Sequence, residues 1–416
     1  MANQKKQWAA IIMMIALFAM IAFVTNLCSP MAVIVKQQFG GTELQSQIGN
    51  YANFVAYLVM GIPSGMLIVK FGYKKTALLA LVVGIVGMLL ELLSGTMESM
   101  WVYLVGAFVS GFCMCMLNAV VNPLLNVLGG GGNTGNQLIQ IGGAFNSAAA
   151  VAVYIILGAL IGEVTKDTGI VDAAPAMYIA LAIFAVAFVV LALTKIEEPE
   201  QEPVSFGLVK GALKYRHFAL GALAIFLYMS VEVGTPTYMI KYLMTEEIGI
   251  SAGVASLIAA VYWFFMFIGR TVGGSIGSKV SSRTMVSTVA TAAIILLAFG
   301  MFSPSTWTVE VPGVDWANLS VIWVPVPIGV AAFICVGLCT SVMWGGIFNM
   351  AVEGLGKYTA AASGIFMTMV FGCAVMVALQ AWVADATGNY LISYIIPLAC
   401  AAYILFYALV GSKVKK

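Results

Sequence analysis

Charge is what this 416-residue chain has least of: 9% of its residues are Asp, Glu, Lys or Arg, and it has a single histidine, His217. A soluble domain carries about a quarter charged residues, so the surface that would keep the chain in water is missing. With 62% apolar side chains, the solvent that fits is a bilayer, and the chain reads as an all-α membrane protein. The shortage of histidine also removes most nucleophile–base and metal chemistry. Seven cysteines, Cys28, Cys113, Cys115, Cys335, Cys339, Cys373 and Cys400, lie in apolar runs without His or carboxylate partners at ligand spacing. No catalytic residue, metal or cofactor is therefore expected. A net charge of only +2, without a dense basic tract, leaves no nucleic-acid partner.

A hydrocarbon core about 30 Å thick takes roughly 20 helical residues. Runs of that length cover 8–35, 48–69, 76–93, 100–127, 138–162 and 176–193, then 218–243, 254–276, 284–302, 321–351, 359–383 and 390–410. The first is too long for a signal peptide and lacks a small-residue cleavage site, so it reads as an uncleaved span. Between the sixth and seventh runs the composition turns abruptly charged, from Thr194 through Pro203 and on to His217. The expected organisation is an N-terminal six-helix bundle over 1–194, a cytoplasmic linker over 195–217 and a C-terminal six-helix bundle over 218–416, twelve transmembrane helices in all. Basic residues near span ends stay in the cytoplasm. With both termini cytoplasmic, sixteen of the 19 lysines and arginines fall inside, and only Lys36, Lys166 and Lys241 outside.

The two halves echo each other, the mark of a pseudo-symmetric carrier. Asn26 and Pro30 recur as Glu232 and Pro236, Gly61 and Gly65 as Gly269 and Gly273, and Lys75 as Arg283. The Leu128-Gly129 pair returns as Leu355-Gly356 at a larger offset, and the difference matches an extra outer loop over 303–319.

A mid-span carboxylate is a functional candidate by default because an ionised group is costly in hydrocarbon. Glu232 lies about fourteen residues into the seventh run. Pro236, four residues on, has no N–H for the Glu232 carbonyl, so a bent or unwound helix is expected there, and Asn26 with Pro30 repeats the device. Glu232 is thus a candidate proton carrier, or an ionised acceptor for ligand hydroxyls, against the alternative of a carboxylate buried for structure. Asn118, Asn122 and Asn126, four apart, form one polar stripe in the fourth run. Their amides, with Asn146 in the fifth, suit a polyhydroxylated ligand or interhelical hydrogen bonds. Trp263 and Trp344 sit deep enough to stack on a sugar face or to pack, while Trp101, Trp307, Trp316 and Trp323 read as interfacial anchors. Glu91, Glu163 and Glu353 lie near run ends, where a structural role is expected.

The basic, glycine-rich turns from Gly65 to Lys75 and from Gly273 to Arg283 resemble those of the major facilitator superfamily, although the superfamily's acidic residue is absent from the first turn. Within it, Ile62-Pro-Ser-Gly65, Phe71-Gly-Tyr-Lys74, Asn122-Pro123, Ala144-Phe-Asn-Ser147, Phe226 through Glu232, Ile268-Gly-Arg270 and Ala384 through Gly388 are similar to the fucose permease and glucose/galactose symporter family. The resemblance implies alternating-access import of a small neutral sugar with a proton across a bacterial cytoplasmic membrane, by a monomer. The residues singled out above, Asn26, Asn118, Asn122, Asn146, Glu232, Trp263 and Trp344, are the candidate substrate contacts, and the resemblance implies cytoplasmic turn or gate roles for Gly65, Lys74, Lys75, Arg270 and Arg283. Two acidic positions of the fucose permeases fall at Ser29 and Asn118, neither of which carries a proton. Coupling therefore rests on Glu232, or the carrier uses sodium or no ion. An exporter of apolar compounds on the same fold is the alternative. Few charges in the cavity are expected, which favours a neutral ligand over a phosphorylated one.

Overall fold

A computed structural model describes residues 7–39, 48–130, 132–161, 169–198, 211–277, 279–315 and 320–414. Lys5, Lys6, Glu163, Lys166, Lys210, Trp316, Lys415 and Lys416 lie outside the described residues, as do the side chains of Cys28, Ser29, Pro30, Lys36 and Lys357. Before the linker come α1 (Trp8–Phe39), α2 (Ile48–Met97), α3 (Met100–Leu128), α4 (Gly132–Ile161) and α5 (Ala174–Leu193). After it come α6 (Arg216–Met229), a π-helical turn over Ser230–Gly234, α7 (Thr235–Leu243), α8 (Ala252–Ile276) and α9 (Ser282–Phe302). The strands β1 (Thr308–Asp315) and β2 (Ser320–Pro327) precede α10 (Ile328–Thr340), α11 (Met343–Val352), α12 (Thr359–Met369), α13 (Gly372–Thr387), α14 (Tyr390–Ser393) and α15 (Ile395–Phe406). Among the described residues ten helical stretches are long and apolar enough to cross a membrane. Their outer faces carry bare Leu193, Phe302 and Val186, side chains that match acyl chains and not water.

α2 has 50 residues, about 75 Å of helix at 1.5 Å per residue, far more than one bilayer core. It is interrupted at Gly72, whose φ of 84° and ψ of 170° suit only a residue without a Cβ. The orphan amides that follow are capped from a distance: Tyr73 and Lys74 donate their N–H groups to the Glu198 carboxylate at 2.7 and 2.9 Å. In return Lys74 Nζ donates to the carbonyls of Ala192 and Thr194, both at 2.8 Å, at the end of α5. The acid missing from the turn itself is thus supplied by the linker. Lys74 serves a helix terminus, Arg283 donates to the Ser412 hydroxyl at 3.3 Å, and Lys75 is exposed.

Two expectations are corrected by the backbone. The stretch from 321, expected to be helical, is β-structure to Pro327: β1 and β2 pair antiparallel with Pro312 opposite Trp323. Alternating β-branched residues favour the strand, and Pro325 and Pro327 would break a helix there. The Asn26–Pro30 segment, expected to unwind, stays within the single helix α1, and the Asn26 amide donates to the Ala22 carbonyl one turn back at 2.8 Å. Of the two segments, the one that departs from α-geometry is the π-turn before Pro236, over Ser230–Gly234. His217, assigned to the linker, is in the first turn of α6, buried, with Nε2 2.9 Å from the Glu353 carbonyl.

The helices before and after the linker meet along two lines, α4 against α8 and α2 against α12. Gly61 makes the second possible: a Cβ there would lie 2.5 Å from the Thr368 backbone nitrogen, so any larger residue pushes the two helices apart.

Glu198→Ala uncaps two N–H groups and is expected to lower stability by about 1 kcal/mol, read as a lower Tm of the purified protein. Glu198→Gln, which keeps an acceptor, should lose less.

Candidate substrate cavity

The π-turn is where the sequence forces the backbone to widen. Pro236 offers no N–H to the carbonyls four and five residues back, those of Glu232 and Val231. The extra residue of a π-bulge absorbs the mismatch, a feature that recurs at functional sites. Side chains cover the freed polarity: Tyr262 donates its hydroxyl to the Val231 carbonyl at 3.3 Å, and Tyr394 to the Thr235 carbonyl at 2.8 Å. The turn leaves Glu232 on the wall of a cavity, and the Tyr228 hydroxyl beneath it donates to the Thr340 carbonyl at 3.3 Å.

That cavity holds about 190 Å³ in the measure where one water takes roughly 10–15 Å³, room for about a dozen waters or one small solute. Its wall is drawn from both sides of the linker. α1 gives Phe18, Thr25 and Asn26, α2 gives Tyr57, α3 gives Asn118 and α4 gives Asn146; the later helices give Glu232, Thr237, Lys241, Trp263, Arg270 and Trp344. Six of the seven expected contact residues therefore line one space. Asn122 does not: it is 1% exposed and donates to the Asn118 carbonyl at 3.0 Å. The stripe drifts about 40° per four residues, so Asn118 meets the cavity, Asn122 turns into the packing, and Asn126 reaches a separate pocket with Ser282, Arg283 and Asn349. Asn118 also donates to the Tyr57 hydroxyl at 3.1 Å.

Arg270, expected at a cytoplasmic gate, forms the floor. It is 7% exposed and lies six residues from the end of α8. Its Nη1 donates to the Gly143 carbonyl at 2.9 Å, the Ser147 hydroxyl at 2.9 Å and Asn146 Oδ1 at 3.1 Å, all on α4. Its Nε reaches the Ser341 carbonyl at 3.3 Å, and its Nη2 pairs with Glu232 Oε1 at 3.4 Å. Asn146 extends the chain by donating to the Phe18 carbonyl of α1 at 2.8 Å. One guanidinium thus ties α8, the π-turn and α10–α11 to α4 and, through Asn146, to α1. Past this floor the seam is shut, with Gly345 of α11 against Gln140 and Asn136 of α4, both buried.

Sequence reasoning missed Arg270 and Lys241 as cavity residues, and with them the expectation of a cavity with few charges is corrected. The signal was present, since a guanidinium deep in an apolar run marks a site by the same argument as Glu232. Glu91, assigned to a run end, is buried where α2 meets α3 and accepts from Ser110 Oγ at 2.6 Å.

A helical chain that meets itself around a polar chamber between its two sets of helices has the form of a carrier, and sequence comparison agrees. Residues 13–378 match the model of the Major Facilitator Superfamily, and the chain belongs to that family; it is a membrane transporter and not an enzyme. It is 28% identical over 418 residues to a glucose/galactose transporter of Brucella abortus, covering 99% of this chain and 96% of that one. It is 27% identical to a putative glucose/galactose transporter of Helicobacter pylori (96% and 95% covered) and 23% identical to the L-fucose-proton symporter of Escherichia coli (94% and 91% covered). A crystal structure of the Escherichia coli fucose:proton symporter superposes with a TM-score of 0.80 at 20% identity, covering 99% of this chain and all of the other, and one of a Major Facilitator Superfamily transporter in the outward conformation does so to the same degree.

Arg270→Met leaves the Glu232 carboxylate and the Gly143 carbonyl without their partner and is expected to cost about 3–5 kcal/mol, measured as loss of Tm in detergent. Arg270→Lys should recover only part of this, because a point charge cannot serve the same set of acceptors.

Proposed function

We propose that this protein imports a small neutral sugar, a hexose, deoxyhexose or N-acetyl sugar, together with a proton, by alternating access. The observation that carries the reading is the pairing of Glu232 with Arg270 on the floor of a chamber walled by Asn26, Asn118, Asn146, Trp263 and Trp344. Carboxamides give donors and acceptors to hydroxyl groups, and the indoles offer faces to the C–H side of a pyranose. Relatives named as sugar transporters support the substrate class.

Dividing α2 at Gly72 and adding the 30-residue α4 to the ten spans supports a count of twelve, read here as two bundles over 1–194 and 218–416 with the linker 195–217 between them. The excess of lysine and arginine puts both termini in the cytoplasm, in a bacterial cytoplasmic membrane. The cavity then runs from the Arg270 floor toward Lys241 on the outer side, and the conformation is outward-facing.

The same geometry supplies a coupling mechanism. While Glu232 is ionised it is a partner of Arg270, and Arg270 holds α8 to α4. A proton arriving through the outer cavity removes the charge from Glu232 and weakens the pair. Sugar bound over the floor replaces water around it and contributes hydrogen bonds from both bundles. Protonated and loaded, the floor loses part of its tie and the α4–α11 seam parts toward the cytoplasm, where proton and sugar leave. A carrier that crosses only when both sites are filled or both are empty couples the two fluxes.

In proteoliposomes with an imposed pH gradient, Glu232→Gln is expected to abolish uphill sugar accumulation while preserving sugar exchange. Accumulation equal to the unmodified protein removes Glu232 from the coupling. A Tm screen of the purified protein against hexoses, 6-deoxyhexoses and N-acetyl sugars tests the substrate class, and a uniformly flat response without flux ends the sugar reading. Trp344→Ala should weaken binding of a sugar that scores by about threefold to tenfold.

A further inference from the structure

Arg270 reaches from α8 into the substrate cavity, but its neighbours on the helix line a second space that the transport reading does not use. α10 packs against both α8 and α9, and between the three helices runs a groove of about 330 Å³. Gly269 packs directly on Ser341 and Gly273 on Val342, which closes the bottom of the groove. Its walls are mainly apolar, with Val272, Ile276, Met285, Val289 and Leu338 among them. The groove opens on the outer face of the helices. Phe264, Ile268, Val272 and Ile276 recur every fourth residue of α8 and are 36–52% exposed, one lipid-facing stripe to which two of the groove residues belong.

An ordered water needs two to four polar partners, and this wall offers few. Acyl chains are the solvent on that face. A chain that moves from bilayer to groove gains no hydrophobic free energy, because both surroundings are apolar; it gains only dispersion contact with a preformed wall. A defined site therefore needs a headgroup contact, and one stands at the end of the groove. Lys279 is exposed in the turn between Ile276 and Val280, both of which line the groove. Lys279 and Val280 donate their N–H groups to the Ile276 carbonyl at 2.8 and 3.0 Å, which fixes the turn. Beyond it the Ser281 and Thr284 hydroxyls lie 2.8 Å apart at the start of α9, and Thr284 also lines the groove. From Ala252 to Phe302 the chain carries Arg270, Lys279 and Arg283 and no acidic residue. An ammonium and two hydroxyls at the interfacial end of an apolar slot match a phosphodiester with a hydrocarbon chain beneath it.

We propose that this groove binds one anionic phospholipid of the cytoplasmic leaflet, with an acyl chain along α8 and its phosphate at Lys279 and the start of α9. Ser341, at the bottom of the groove, gives its carbonyl to Arg270, so the lipid backs the wall that holds the cavity floor. Only the choice of leaflet rests on the topology proposed above; binding in detergent depends neither on it nor on transport. Purified full-length protein is titrated with phosphatidylglycerol and, separately, with phosphatidylcholine of the same chains. Bound lipid is counted by native mass spectrometry while Tm is read in parallel. The expected result is one retained lipid and a saturable rise in Tm, with phosphatidylglycerol favoured by about fivefold or more. Lys279→Gln should bring the two lipids to equal affinity. Thr288→Trp, which fills the groove from its exposed rim, should remove the retained lipid of either kind, whereas Val186→Trp, on the bare face of α5, leaves retention and preference unchanged. Should Thr288→Trp fail to fold, Val272→Phe on the α8 rim replaces it. Equal affinities in the unmodified protein overturn the proposal, as does a preference that survives Lys279→Gln or retention that survives filling of the groove. A dimer in detergent that the filled groove splits puts a second copy of the chain there, and overturns it too.

Discussion

The arrangement depends on burying one guanidinium. Arg270 is nearly cut off from solvent in a segment that is otherwise apolar, and an uncompensated charge there would be prohibitive. The compensation comes from five acceptors: three on α4, one just after α10, and the Glu232 carboxylate. Because those acceptors belong to helices on either side of the linker, satisfying the charge and closing the seam are one event. The residue that closes the floor also touches the one carboxylate that lines the cavity among the described residues. In the mechanism proposed above, access and charge state are linked through this single side chain, without a relay of intermediate contacts.

Much of this was legible in the chain and some of it was not, for definable reasons. Glu232 with Pro236 announced itself because both a mid-span carboxylate and a missing N–H are expensive in hydrocarbon, and the structure answers with a π-turn. The mirror segment at Asn26 and Pro30 has the same spacing yet remains a single α-helix. Asn26 is neutral and satisfies itself on its own helix, so no second strained turn is needed. The β1–β2 hairpin was hidden because valine-rich runs suit both a strand and a buried helix, and run length favoured the helix. Arg270 was misplaced by proximity: six residues from the end of α8 looked like the cytoplasmic turn, whereas a long side chain reaching back along the helix comes to the cavity floor.

The acidic residue that the turn at Gly72 lacks shows how a function can move along the chain while its physics stays put. Two exposed N–H groups after a left-handed glycine need an anion or strong acceptor. Here the linker supplies it through Glu198, more than 120 residues away in sequence. Lys74 completes the exchange by capping α5. The turn motif thereby becomes an internal brace among the helices before the linker, and the tie across the seam is left to Arg270. A motif match alone would have assigned both turns the same role.

The charges in the cavity also bear on the substrate. An exposed arginine at mid-depth would invite an anionic ligand, and at first sight Arg270 reverses the expectation of a neutral one. Its nitrogens argue otherwise: Nε and Nη1 are committed to backbone carbonyls and to Asn146 and Ser147, and Nη2 faces a carboxylate that already balances its charge. A phosphate or carboxylate placed on the floor would have to displace Glu232 and would then sit 3–4 Å from another anion, a repulsion of several kcal/mol at the effective dielectric of such a site. A neutral polyol avoids this. Its hydroxyls can donate to Glu232 and accept from the Asn118 amide without breaking the ion pair that keeps the floor shut. This arrangement supports the neutral ligand proposed above, on different grounds from a lack of charge.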